Sequence, residues 1–334
     1  MSGGSFLNEY IALDAGTETV RIRPKDGKGR LFIAELHVFG EGDVPDWVQQ
    51  WEAPLDKAEN VRRQICLTLE EMNIQPESSH HEQGPGQNEV DFRYAEALEA
   101  ADNFVTFKWV VKSMASSSGL FASFLPKPLP HAPGSGLHLS VSINKNGKNL
   151  FQPSFEKSAE GQSFVAGILQ RAAEMTIFCN PLTNSFQRLG EFEAPKYITW
   201  SHQNSRPLIT VPLSEDSTAH RFKLRAFDGC INPYIVFALL IHAGLDGIER
   251  KLELPPEATA ETLKLTDRQM LEAGYTPLPR SLKEALDVFE DSQFMKDALG
   301  EHIHSFFLKK KRDEWHKFES TITEWEIKHY LANS

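Results

Sequence analysis

The sequence predicts an α+β fold: a largely antiparallel sheet backed by helices, with a short β-rich segment ahead of it. Three observations predict it. Segments such as GLHLSVSI and HRFKLRAF alternate apolar and polar residues, as half-buried strands do. Between such segments lie apolar residues at helical spacing, among them Phe164, Ile168, Ala172 and Met175. No internal repeat interrupts the order, and no apolar run approaches the ~18 residues of a membrane span.

The elements follow in order. Residues 1–52 hold two β-like runs, ETVRIRP and GRLFIAELHVFGEGD, around the polar turn KDGKG. They read as one edge of a β-sandwich and not a complete domain, a segment left unassigned that fits either a truncated paralogue or an origin by gene fusion. PDWVQQWEAP reads as a bend, and the main domain is expected over residues 53–334. Val61, Ile65, Leu69 and Met72 share one helical face, and Leu98, Ala101, Val105 and Trp109 mark a second helix. LFASFLP is a short strand, and GLHLSVSI ends in the turn NKNGK, so it enters a hairpin. After the helix marked by Phe164 and Met175, the runs KYITW, PLITVP and HRFKLRAF read as strands. NPYIVFALLIHAGLDGI is a strongly apolar helix, and two or three more polar helices close the chain.

Composition excludes some functions. The net charge of −11 argues against a nucleic-acid partner. No basic stretch followed by an apolar one stands at the N-terminus, so a cytoplasmic location is expected. Cys66, Cys179 and Cys230 are odd in number and far apart, without metal-ligand spacing. A GxxxxGKS or GxxxxGKT phosphate loop, a GxGxxG turn and a GxSxG elbow are all absent, which disfavours a standard nucleotide fold or a serine hydrolase.

Three constellations carry chemistry. HHEQGPGQNE places Glu82 and Glu89 on either side of a Gly-Pro-Gly turn. Two carboxylates so placed converge on a hard cation such as Mg²⁺ or Mn²⁺, or else belong to a solvated loop. In GLHLSVSI, His138, Ser140 and Ser142 share the face opposite Leu137, Leu139 and Val141. His138 is there either a metal ligand or a plain polar-face residue. In HRFKLRAF, Arg221, Lys223 and Arg225 line one face. They form either a cradle for phosphate or carboxylate or a charged edge strand guarded against aggregation.

Taken in order, SHHEQGPGQNEVDFRYAEALEAADN, FLPKP, GSGLHLSVSINKNGKNLF, NPLTNSFQRLGEFEAPKYITWS and NPYIVFALLIHAGLDGI resemble the successive signatures of type I glutamine synthetases. The resemblance covers the catalytic domain and omits the family's N-terminal β-grasp domain. It implies a glutamate–ammonia ligase that makes glutamine with ATP by way of γ-glutamyl phosphate, with two divalent metals, Mg²⁺ or Mn²⁺. It implies Glu82 and Glu89 as ligands of the first metal and His138 as a ligand of the second. By the same resemblance Arg188, Gly134 and Arg225 bind the substrate, and Glu193 is the catalytic flap glutamate acting with Arg225. Ser142 and Arg221 match positions near ATP.

The departures from the family fall in the same site. Lys223 stands where the family has a second-metal glutamate. An ammonium ~4 Å from a divalent ion is repelled by roughly 8 kcal/mol at an effective dielectric of ~20, so one metal is expected and not two. Ser205 and Thr210 replace phosphate-clamping arginines, with Arg206 one position off; Ser140 replaces a histidine and Pro133 an asparagine. AELHVFG can be laid on the family's E-x-E-F strand, which places Glu35 at the first metal and Ile33 at the second-metal glutamate. The resemblance with these losses implies an impaired ligase, a ligase for another amine, or an inactive paralogue acting as a binding or regulatory module. The partners it implies are glutamate, ATP and an amine, with homo-oligomerisation or co-assembly with a full-length synthetase.

Overall fold

The computed structural model describes residues 58–202, 206–212 and 221–331, together with the backbone of three strands at 13–16, 19–22 and 30–40. In chain order the strands are β1 (Leu13–Gly16), β2 (Thr19–Ile22), β3 (Arg30–Gly40), β4 (Pro76–His81), β5 (Gln87–Arg93), β6 (Leu120–Ser123), β7 (Leu137–Lys145), β8 (Lys148–Asn149), β9 (Trp200–Ser201), β10 (Ile209–Thr210) and β11 (Phe222–Phe227). They form one sheet in the order β4-β5-β3-β1-β2-β7-β11-β10-β9, with β6 on β3, β8 on β7, and β3 also paired directly to β7. Most joins are antiparallel; β1–β3, β2–β7 and β9–β10 are parallel.

Two strands stand elsewhere than the sequence suggests. The run GRLFIAELHVFG reads as an edge, yet β3 pairs with β5, with β6 and with β7. HRFKLRAF also fits a charged edge, yet β11 lies between β7 and β10. Its cations therefore do not guard an open edge. The bend assigned to PDWVQQWEAP lies outside the described residues.

The helices are α1 (Glu59–Glu71), α2 (Ala97–Ser117), α3 (Ala159–Cys179), α4 (Pro233–Glu249), α5 (Asp267–Glu272), α6 (Leu282–Asp291), α7 (Gln293–Glu319) and α8 (Glu324–Tyr330). Their starts are written locally. Asn232 accepts hydrogen bonds from Tyr234 N and Ile235 N, and Pro233 opens α4 where no amide proton is needed. Ser158 caps α3 through Gly161 N. α1 buries Val61, Ile65 and Leu69, whereas Met72 lies beyond its end and is exposed. Of the four residues that mark α2 only Ala101 is buried, alongside Phe104, Phe107 and Val111, while Leu98, Val105 and Trp109 are exposed. Its apolar residues nearly encircle the helix, so spacing alone does not select the buried stripe. α3 and α4 cross with their backbones in near contact, at Gly167 and Gly247. Among the described residues no helix is long and apolar enough to cross a membrane.

Candidate active site

The site begins at the β4–β5 hairpin. Gly86 takes a φ of 66°, a conformation open to glycine at little cost. Gln87 accepts from Gly84 N at 2.8 Å through Oε1 and donates to Gly134 O at 3.1 Å through Nε2. Asn88 donates to Gly86 O at 2.8 Å and accepts from Arg62 at 2.6 Å. These bonds fix the mouth of the hairpin, where His80 pairs with Glu89 in register. His80 Nδ1 lies 3.5 Å from Glu82 and its Nε2 3.4 Å from Glu89. One ligand atom from each of His80, Glu82 and Glu89 falls within 4.8 Å of the others.

The hairpin side of the site carries an excess of negative charge. The hydrogen bond to Glu89 raises His80 to about 9. Burial, then the Glu89 charge, raises Glu82. Asp91 shares the Glu89 face of β5 and is raised to about 7, by burial first and then by Glu89, while Ser78 hydrogen-bonds it. A divalent cation displaces the protons that such crowded carboxylates hold. Two carboxylates and an imidazole suit a hard ion such as Mg²⁺ or Mn²⁺. In register, Glu35 of β3 stands opposite Glu89.

The facing wall is cationic. Arg188 is buried and donates through Nη2 to the carbonyls of Ala226 (2.8 Å) and Phe227 (2.9 Å). A Cβ on Gly134 would lie 2.3 Å from Pro126 O and 2.7 Å from Arg188 Cγ, so only glycine lets the arginine pass. Arg225 donates to Glu193 at 3.2 Å. Glu193 sits on loop 190–194, where Phe192 takes a φ of 51° beneath a Lys127 ammonium 4.7 Å from its ring. His138 is held well below its usual value by burial, then by the charges of Arg225, Lys223 and Arg188.

A cleft of ≈ 260 Å³ joins the two walls. Glu82, Glu89, Gly134, His138, Arg188, Glu193 and Arg225, all expected from the sequence, line it together with Lys223 and Pro133. Ser142 does not; it is fully buried in β7. Arg221 also lies off the lining. Ser205 is outside the described residues, and Thr210 pairs with Lys223 across β10 and β11. Arg206 lines a separate pocket of ≈ 380 Å³ that shares Phe192 and Ala194 with the cleft, so it does not replace a clamp in the cleft itself. Sequence reasoning missed His80, Asp91 and Gln87. The alternation E-V-D in β5 signals Asp91, and the hairpin pairing of HHE with NE signals His80.

Comparison with known proteins gives relatives in both sequence and fold. The family model "Glutamine synthetase, catalytic domain" matches residues 48–330. A glutamine synthetase of Methanosarcina mazei is 43% identical over 284 residues, 84% of this chain and 63% of that protein. The chain thus spans less than two thirds of the length of that relative. A solved GmaS/ADP complex superposes with a TM-score of 0.79 at 29% identity, covering 90% of this chain and 73% of the other. A Plasmodium falciparum glutamine synthetase shares the fold, with a TM-score of 0.80 at 22% identity over 98% of this chain and 77% of its own.

Proposed function

The chain belongs to the glutamine synthetase catalytic-domain family, and from that premise we propose that it is an ATP-dependent glutamate–amine ligase with an altered phosphate-handling side and impaired turnover. One observation carries the reading: an anionic hairpin and a wall of buried arginines line one cleft, with Glu193 beside Arg225. In this reading residues 53–334 form the catalytic domain. Arg188 and Arg225 hold the carboxylate of glutamate, since guanidinium forks match carboxylate oxygens. Glu193 takes a proton from the incoming ammonium or amine once it has left Arg225. Glu82, Glu89 and His80 hold one divalent cation, which when bound neutralises phosphate oxygens. A GmaS of the same fold was solved as a complex with ADP, which supports a nucleotide as a ligand of this chain. Phosphate release dependent on both ATP and glutamate, measured with ammonia and with a panel of amines, tests the proposal. No release above background with any acceptor sinks it.

A second reading has its own support: Lys223 and Arg225 line the cleft beside His138, and the last helices expose Phe306, Phe318 and Trp325. A paralogue that binds without turning over, assembled with itself or with a full-length synthetase, fits both facts. Co-purification with such a synthetase, combined with silent turnover, favours it over the first.

A further inference from the structure

We infer that this chain holds one divalent cation and that Lys223 takes the place of a second, contacting phosphate oxygens directly as a fixed monovalent charge. The inference deepens the proposed ligase reading and rests on it for the arrival of a phosphate in the cleft.

The family implies two ions, and the two sides of the cleft fit them unequally. On the hairpin side, His80, Glu82 and Glu89 supply three converging ligand atoms. On the other side, His138 supplies one imidazole. Its register neighbour on β3 is Ile33, a residue with no donor. On β11, Lys223 and Arg225 both line the cleft beside it, and Arg188 adds a third cation. Three cations lining one side of a cleft repel a divalent ion there. This side is built for an anion.

Lys223 is well placed for that task. β11 is paired along both edges, with Ser140 of β7 opposite Lys223 on one side and Thr210 of β10 on the other. The backbone beneath the side chain is therefore fixed. Lys223 lines the same cleft as Glu82 and Glu89 of the hairpin. An ammonium offers three donors and no coordination geometry, and it binds phosphate as a point charge. A phosphate lying between the hairpin's ion and Lys223 is neutralised from both sides.

The test reads ion count and phosphate affinity, with no need for turnover. Mn²⁺ titration of the purified chain, followed by electron paramagnetic resonance, is expected to give one tightly bound ion per chain. Inorganic phosphate, titrated calorimetrically into the metal-free chain, is expected to bind. Lys223→Gln is expected to weaken that binding roughly tenfold, and Lys223→Arg to retain most of it. The double variant Ile33→Glu/Lys223→Glu is expected to take up a second Mn²⁺. Two ions per wild-type chain, or a phosphate affinity unchanged by Lys223→Gln in a variant with a wild-type melting profile, overturns the inference. If Lys223→Gln does not fold, the wild-type ion count decides alone. A chain that gives the expected binding yet releases no phosphate from ATP keeps the inference and sinks the ligase reading; an active chain with two ions does the reverse.

Discussion

Single residues set what the cleft accepts. Gly134 is the tightest of them. Gly134→Ala places a methyl group 2.3 Å from Pro126 O and against the Arg188 stem. The variant is expected to lose about 1–3 kcal/mol of stability, read by urea denaturation, and to bind glutamate more weakly by calorimetry. The hairpin predicts a pH dependence. His80 and Asp91 are both raised in the folded chain, from 6.5 to about 9 and from 3.8 to about 7. Each stabilising share is complete below the unfolded value and is lost as pH rises through the folded one. His138, held well below 6.5, has the opposite slope beneath that value, so thermal midpoints of the metal-free chain are expected to fall from about pH 6.5 to pH 9. Asp91→Asn removes the lower part of that fall and His80→Gln the upper part. A midpoint that rises with pH over that range refutes the assignment. Much at this scale was legible in the sequence: Glu82, Glu89, His138, Arg188, Glu193 and Arg225 do converge. Ser142 was not, because alternation along β7 says which residues share a face but not that both faces are covered.

At the scale of elements, the crossing of α3 and α4 is the most demanding contact. A Cβ on Gly247 would lie 2.1 Å from Ser163 O and 2.8 Å from Gly167 Cα. Two helices approach this closely only where neither carries a side chain. Gly247→Ala is expected to cost about 3 kcal/mol, read as a lower urea midpoint with an unchanged slope. Element type was legible almost throughout, since strand and helix periods differ. What stayed hidden was partnership. The run of charges in β11 looks the same on an edge as in a sheet interior; only the pairing with β7 and β10 shows which it is. The exposed Trp109 face of α2 was hidden for a related reason. Its residues are as apolar as those on the buried face, so spacing gave no contrast between them.

The whole molecule joins both walls of the cleft to one sheet. β5, β3, β7 and β11 are linked by main-chain ladders, so the carboxylates and cations they carry do not move apart as the site fills. At the far end, Ile322, Trp325, Tyr330 and Leu331 are exposed together. If that surface joins chains, Ile322→Asp with Trp325→Asp lowers the sedimenting mass and leaves the thermal midpoint unchanged. An unchanged mass with both substitutions removes α8 as a contact. With the sheet rigid, adaptation falls to loop 190–194, and there the pair between Glu193 and Arg225 has a consequence. Arg225 is already engaged by a carboxylate of the protein's own. An acid that is to pair with Arg225 competes there with Glu193, so part of its binding energy goes into weakening an existing ion pair. A neutral compound of the same shape does not enter that competition.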